Sequence, residues 1–250
     1  MFGFGIGRFG LPNRLAAQPL VYNPATQFAA GGLGLWYDPS DYATLSQDSA
    51  GATPVTASGQ TVGRMLDKSG RGNTYSQATA PARPLTATSG AILSLAFDGV
   101  DDGGATGAIT LSANMDCFIA IRRATTASIV LVHAANNGNL YFGATVVGGA
   151  ALATANSGTP TYAVNGVLLN GGAINTTSGQ FDAALPIGAW QVVEVRNLNV
   201  LAWPALFIAG YTSFSMNGDF GGMILAPAGD AATRQNNRRN LGAKVGLTLP

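Results

Sequence analysis

From Leu33 onward, apolar residues come in short runs separated by turn residues. The runs are LGLWYD, TVGRMLD, ILSLAFDG, MDCFIAIRR, SIVLVHA, NLYFGATVV, TYAVNGVLL, WQVVEVRN, ALFIAG and FGGMILAP. They are rich in β-branched and aromatic side chains and are bounded by Gly, Asn, Asp and Ser, the pattern of strands joined by tight turns. Strands at this spacing predict an all-β fold, an antiparallel sandwich or jelly roll. One stretch departs from it. DAATRQNNRRNLGAKVGL predicts a short helix near 230 to 245, with Asp230 as N-cap and Gly246 stopping it after Lys244.

Residues 1 to 32 show neither period. Phe2, Phe4, Ile6 and Phe9 are spaced by glycines, and LPNRLAAQPLVYNPATQFAAGG follows with three prolines. That composition argues against a stable helix or sheet strand. The segment is also too apolar for a solvated disordered tail. Such a segment gains most by ordering against another chain, the alternative being an arm folded back on its own domain. The expected organisation is an extended N-terminal assembly arm, 1 to 32, followed by a β-sandwich, 33 to 250.

Composition narrows the function. The 250 residues are ample for a buried core. Formal net charge is +1, and thirteen Lys+Arg are too few for a broad phosphate-binding face, so no nucleic-acid partner is expected. The pairs Arg122-Arg123 and Arg238-Arg239 read as solvated ends of a strand or helix. Only 10% of residues are charged, whereas a free domain's surface is normally about a quarter to a third charged. Surface covered by other subunits would account for this, and a homo-oligomer is expected. Cys117 is the only cysteine, which excludes an internal disulfide and a Cys-based metal site; it is expected to pack as a small apolar side chain. No apolar run reaches the length of a membrane span. The start MFGFGIGRFG lacks the basic head and continuous apolar core of a signal peptide. Phe2 follows the initiator methionine and the first glycine is Gly3, so the myristoylation pattern is absent.

Several motifs follow one another in a recognisable order. LWYDPSDYATLSQDSAGATPVTASGQTVGRMLDKSGRGNTYSQATAPARP combines a Trp-bearing strand, an Asp-Pro-Ser/Asp turn, a G-x-x-V-G-x-x-x-D-K-S-G segment and an Arg-Pro approach. LAFDGVDD, TYAVNGV with its Asn165-Gly166 turn, GAWQVVEVRN, and a closing strand and helix ending in L-x-x-K-x-G-L come next. In this order, over 33 to 250, the chain resembles the concanavalin A-like, laminin-G-like jelly roll of many bacteriophage structural proteins. The resemblance implies that fold and a virion setting, with the arm docking the module on a tail, baseplate or head. It does not imply a ligand, because one sandwich hosts lectins, hydrolases and plain structural modules.

Candidate chemistry is sparse. Glycosidases need a pair of carboxylates, which the glucanases of this fold space along one strand. Here Glu194 in VVEVRN is the only glutamate, no second acid follows on its strand, and Asp182 lies beyond the turn ALPIG. Glu194 is expected to be structural, paired with Arg196 on the same face. No G-x-S-x-G elbow is present. His133, the only histidine, shares a strand face with Ile129 and Leu131, and a dyad with Cys117 is the minor alternative to a partly buried histidine. Asp98, Asp101 and Asp102 in AFDGVDD could offer oxygens to calcium, which needs six to eight. The simpler expectation is an Asx-type turn with Asp98 accepting a backbone N–H, Gly99 at positive φ, Phe97 inward, and Asp101 and Asp102 at the rim. DPSD, 38 to 41, and DKSGRGN, 67 to 73, are expected to be turns of the same kind.

A lectin-like site would pair an aromatic platform with Asn/Asp on loops. The HAANNGNLYFG loop, with Asn136, Asn137, Asn139 and Tyr141, is the chosen candidate, ahead of Tyr211 near Asn217 and Asp219. Trp36, Trp190 and Trp203 sit in strand-like runs and are expected in the core. The functional expectation is a non-enzymatic virion protein that needs no cofactor and binds other virion subunits. A module binding a host-surface glycan is the alternative, and a glycan hydrolase is the weakest reading.

Overall fold

The computed structural model describes residues 22–29, 31–125, 129–134, 139–142, 158–169, 178–211 and 214–250. In chain order the strands are β1 (Leu35–Tyr37), β2 (Leu45–Ser46), β3 (Arg64–Met65), β4 (Tyr75–Ser76), β5 (Leu85–Ser89), β6 (Ile92–Asp98), β7 (Gly104–Thr106), β8 (Met115–Arg123) and β9 (Ile129–Ala134). Then come β10 (Asn139–Phe142), β11 (Thr161–Val164), β12 (Val167–Leu168), β13 (Trp190–Leu198), β14 (Leu206–Ile208), β15 (Gly210–Tyr211), β16 (Phe214–Ser215) and β17 (Asn217–Pro227). Among the described residues the α-helices are α1 (Ser178–Ala184) and α2 (Ala231–Lys244).

The strands form an antiparallel β-sandwich. One sheet runs β12-β11-β13-β8-β17-β6-β5, with β1 also paired to β17, and the second runs β10-β9-β14-β7-β4-β3-β2. The ladder β8–β17 is the longest, and a register shift between Phe220 and Gly222 interrupts it. The expected hairpin closes β11 onto β12 through Asn165 and Gly166, both at positive φ, the geometry that a two-residue turn needs to match strand twist.

The first sheet is covered on both faces. Along β8, Met115, Cys117, Ile119 and Ile121 point into the core between the sheets, while Phe118 and Ala120 point the other way. That opposite face is sealed by α2 and by the segment around Phe28, which packs with Trp36, Trp190, Val192, Ile224 and Leu241. Burial on both sides explains why β8 and β17 read as continuous apolar runs instead of alternating ones. At Gly221 an added Cβ would lie 2.5 Å from Val245 and 3.1 Å from Trp190, so glycine lets the end of α2 sit close to the sheet. The helix starts where expected, with the Asp230 carboxylate accepting the Thr233 N–H at 2.8 Å. Among the described residues no helix is long and apolar enough to cross a membrane.

Residues 22–29 fall within the stretch expected as an arm, and they pack on α2. The Tyr22 hydroxyl donates to Asn237 at 3.0 Å, Gln27 and Asn237 exchange side-chain hydrogen bonds, and Phe28 is 1% exposed. Phe2, Phe4, Ile6 and Phe9 lie outside the described residues.

The arginine pairs require a correction. Arg123 is 3% exposed and donates to the Asp182 carboxylate and to the carbonyls of Asp182 and Leu185, which fastens α1 to the end of β8. Arg122 pairs with Asp219 at 2.7 Å and lies over the Trp190 ring. Arg238 is also buried, whereas Arg239 is exposed and donates to the Leu249 carbonyl. A guanidinium can be buried this way because carboxylates and carbonyls accept from its fixed fork of donors.

Candidate functional site

Glu194 is fully buried on β13, beneath α2. Arg196 donates to its Oε2 at 2.7 Å, as the shared strand face implies, and Arg238 of α2 donates to Oε1 at 2.9 Å. Arg238 also donates twice to the Pro250 carbonyl. Both carboxylate oxygens are thus taken up by guanidinium groups. Asp116 is held in the same manner: it accepts from the N–H groups of Asn197 and Gly229 and from Arg234, pinning the start of α2 to β8. Burial, reinforced by the Asp116 charge, pushes the Cys117 thiol up and away from thiolate chemistry.

The acidic turn after β6 has the expected local structure. The Val100 N–H donates to Asp98 Oδ1 at 2.8 Å, and Gly99 has φ +79°. Asp101 is exposed, but Asp102 is not the rim residue anticipated. It is 5% exposed, and its Oδ2 accepts the Asp98 N–H at 3.0 Å. Burial raises its pKa to about 6; repulsion from Asp98 and Asp101 adds to this, and the Asp98 N–H opposes it. The three side chains can bring one oxygen each within 4.8 Å of one another. Asp98 and Asp102 already serve as acceptors inside the turn, a use anticipated from sequence for Asp98 but not for Asp102.

The loop candidate for glycan binding falls only partly within the described residues. Asn136 and Asn137 lie outside them. Asn139 and Tyr141 belong to β10, the edge strand of the second sheet, where Asn139 is in register with His133. Of the other candidate, Asp219 is committed to Arg122. Trp36, Trp190 and Trp203 are all buried, as anticipated.

Sequence reasoning missed a cleft on the outer face of the first sheet. Strand β1 places Trp36 on that face and ends at Tyr37, just before Asp38. The loop 67–73 is tied to β1 through Asp67, which accepts the Trp36 N–H at 2.8 Å and also the N–H groups of Ser69 and Asn73. This docking carries Lys68 over the Trp36 ring, 4.7 Å from its centroid. The last turns of α2 bring Asn240 and Lys244, and residues 22–25 form the remaining wall. The cleft has a volume of about 590 Å³.

Its floor is charged. Both Lys68 and Lys244 donate to Asp38 Oδ2, at 3.0 and 2.7 Å, and Lys68 also reaches Asp41 at 2.7 Å. Burial by itself would raise the Asp38 pKa. Hydrogen bonds from Lys244 and Ser40, with the charges of Lys244 and Lys68, outweigh it and hold Asp38 below the ordinary carboxylate value. Lys68 is shifted upward because its bonds to Asp41 and Asp38 outweigh its own desolvation. Two polar atoms in the lining residues, Trp36 Nε1 and Asn240 Oδ1, are buried with no hydrogen-bond partner among the described residues. The signal for this site was present in DPSD and DKSG, which read as turns. Each is a turn, and the meeting of Lys68 and Lys244 at Asp38 could be placed only once β1 and α2 were. Comparison of the chain with protein-family models, with curated proteins and with solved structures found no match.

Proposed function

We propose that this chain is a non-enzymatic structural component of a bacteriophage particle, a concanavalin A-like jelly roll attached through its N-terminal arm. The observation that carries the non-enzymatic part is the state of Glu194. It is the only glutamate, it is fully buried, and both of its oxygens are bound by arginines. A glycosidase acid must face a substrate, and a fully buried carboxylate with both oxygens taken up by guanidinium groups does not. The virion setting rests on the ordered motifs of residues 33 to 250 and on a surface poor in charge. The arm would leave the sandwich beside α2, where Tyr22 and Phe28 are already docked.

The test is incorporation. Antibody labelling and mass spectrometry of purified particles should find the chain in stoichiometric amounts. A chain lacking residues 2 to 20 keeps Tyr22 and Phe28. It should fold with nearly unchanged stability but fail to enter particles assembled in a complemented host. Normal incorporation of the truncated chain would refute the anchoring role, and absence of the full chain from particles would refute the virion setting. The cleft beside Trp36 favours a second reading, in which the same module also binds a glycan on the host surface.

A further inference from the structure

We infer that the cleft between Tyr22, Trp36 and the last turns of α2 binds an acidic saccharide, a sugar unit that carries both a carboxylate and free hydroxyls. The inference rests on the second, glycan-binding reading and names the place and chemistry of that site. Its volume, about 590 Å³, lies in the range of small-molecule sites. A lysine ammonium has three N–H donors. Lys68 spends two on Asp38 and Asp41, and Lys244 spends two on Asp38 and Ser40. Each therefore keeps one donor, and both side chains remain about a quarter exposed, at 24% and 22%.

Charge decides between a neutral and an acidic ligand. Asp38 is buried and neutralises one ammonium. Asp41, 38% exposed and paired with Lys68 at 2.7 Å, is not among the residues that line the cleft. The lining itself holds two ammonium groups against the one carboxylate of Asp38, which suits a carboxylate that bridges them. The hydroxyls answer to the rest of the lining. Trp36 is 8% exposed; among the described residues its Nε1–H has no acceptor and Asn240 Oδ1 has no donor. One orphan donor on the sheet side and one orphan acceptor on α2 belong to residues that line the cleft, and hydroxyl groups, which both donate and accept, would match them. Unmet polar atoms of this kind are costly and mark where a partner is missing. The half-buried Tyr22, its hydroxyl engaged by Asn237, lends the cleft its ring.

The experiment is calorimetric titration of the full chain with an oligogalacturonide, and with a neutral malto-oligosaccharide of equal length. Tryptophan fluorescence serves as a second readout through Trp36. The oligogalacturonide should bind and the neutral sugar should bind at least roughly tenfold more weakly, or about 1.4 kcal/mol. Lys68→Gln and Lys244→Gln each leave Asp38 one lysine, so the fold is expected to persist, and circular dichroism checks this. Each should weaken acidic-sugar binding by roughly tenfold or more, with Lys244→Arg restoring part of it. Equal binding of both sugars, no binding of either, or binding indifferent to both lysine variants in folded protein would overturn the assignment. If a glycan array shows binding that the lysine variants leave unchanged, the glycan-binding reading stands and this cleft is the wrong place for it.

Discussion

Replacing Arg238 by alanine removes one of the two cations that hold Glu194. The pair is 2.9 Å long, with side chains 10% and 0% exposed, so little water is available to take the arginine's place. Breaking such a pair from one side costs about 3–5 kcal/mol, because the remaining charge stays buried. Arg196 still holds Oε2 at 2.7 Å, which places the expected loss near the lower end, about 3 kcal/mol. For a chain of this length that lowers Tm by about 6–12 °C. The same substitution also removes two donors from the Pro250 carbonyl, so the segment after α2 should lose protection from amide exchange. Guanidinium-chloride unfolding measures the first effect, with an unchanged m value showing that only stability has moved. Replacing both partners, Glu194→Leu with Arg238→Met, should cost clearly less than Arg238→Ala alone. If Arg238→Ala costs less than about 1 kcal/mol, or the double variant is the worse of the two, the buried network does not hold α2 to the sheet as described.

Other expectations follow from the same physics. The Asp102 carboxyl has a folded pKa of about 6, above its ordinary value, so its stabilising contribution is complete below about pH 4 and is lost as pH rises through about 6. Asp102→Asn should therefore raise Tm at about pH 8 and leave it nearly unchanged at about pH 4; a loss of Tm at the higher pH would contradict this. Chelation should not shift Tm of the wild type, since Asp98 and Asp102 close their own turn; a fall on adding EDTA that calcium reverses would establish an ion there. Gly221→Ala should cost about 1–3 kcal/mol by displacing the Val245 and Trp190 side chains, read as lost near-ultraviolet circular dichroism.

What could be read in the chain depended on how local the cause was. The run MDCFIAIRR covers β8 from Met115 to Arg123 because its apolar content is set by burial on both faces of the strand. The Asn165-Gly166 turn, the Asp230 cap and the Asx turn at Asp98 were legible because each is closed by neighbours within a few residues. The second sheet was harder. Its strands β2, β3 and β4 are two residues each, too short to show a period, and β7 is three. Buried arginines were unreadable for another reason. Arg123 and Asp182 are 59 positions apart and Arg238 and Glu194 are 44 apart, so nothing near either arginine distinguishes it from a solvated one. The cleft suffered most, since Lys244 meets Asp38 across 206 positions.

The position of β17 sets the order in which the molecule can be made. This strand is the last in the chain, yet it joins β8 to β6 and carries β1 as well. During synthesis β8 and β13 can pair as soon as both have emerged, but that pair exposes apolar side chains on both faces and has an open edge at β8. Neither half of the sheet can be joined to the other until residue 227 has left the ribosome, and α2 comes later still. Contacts this distant close slowly, and the waiting β8 edge can pair with the same edge of a neighbouring nascent chain. Aggregation during expression should therefore rise when many ribosomes translate at once and fall when synthesis is slowed or a chaperone holds the unfinished sheet, even though the finished domain exposes neither strand.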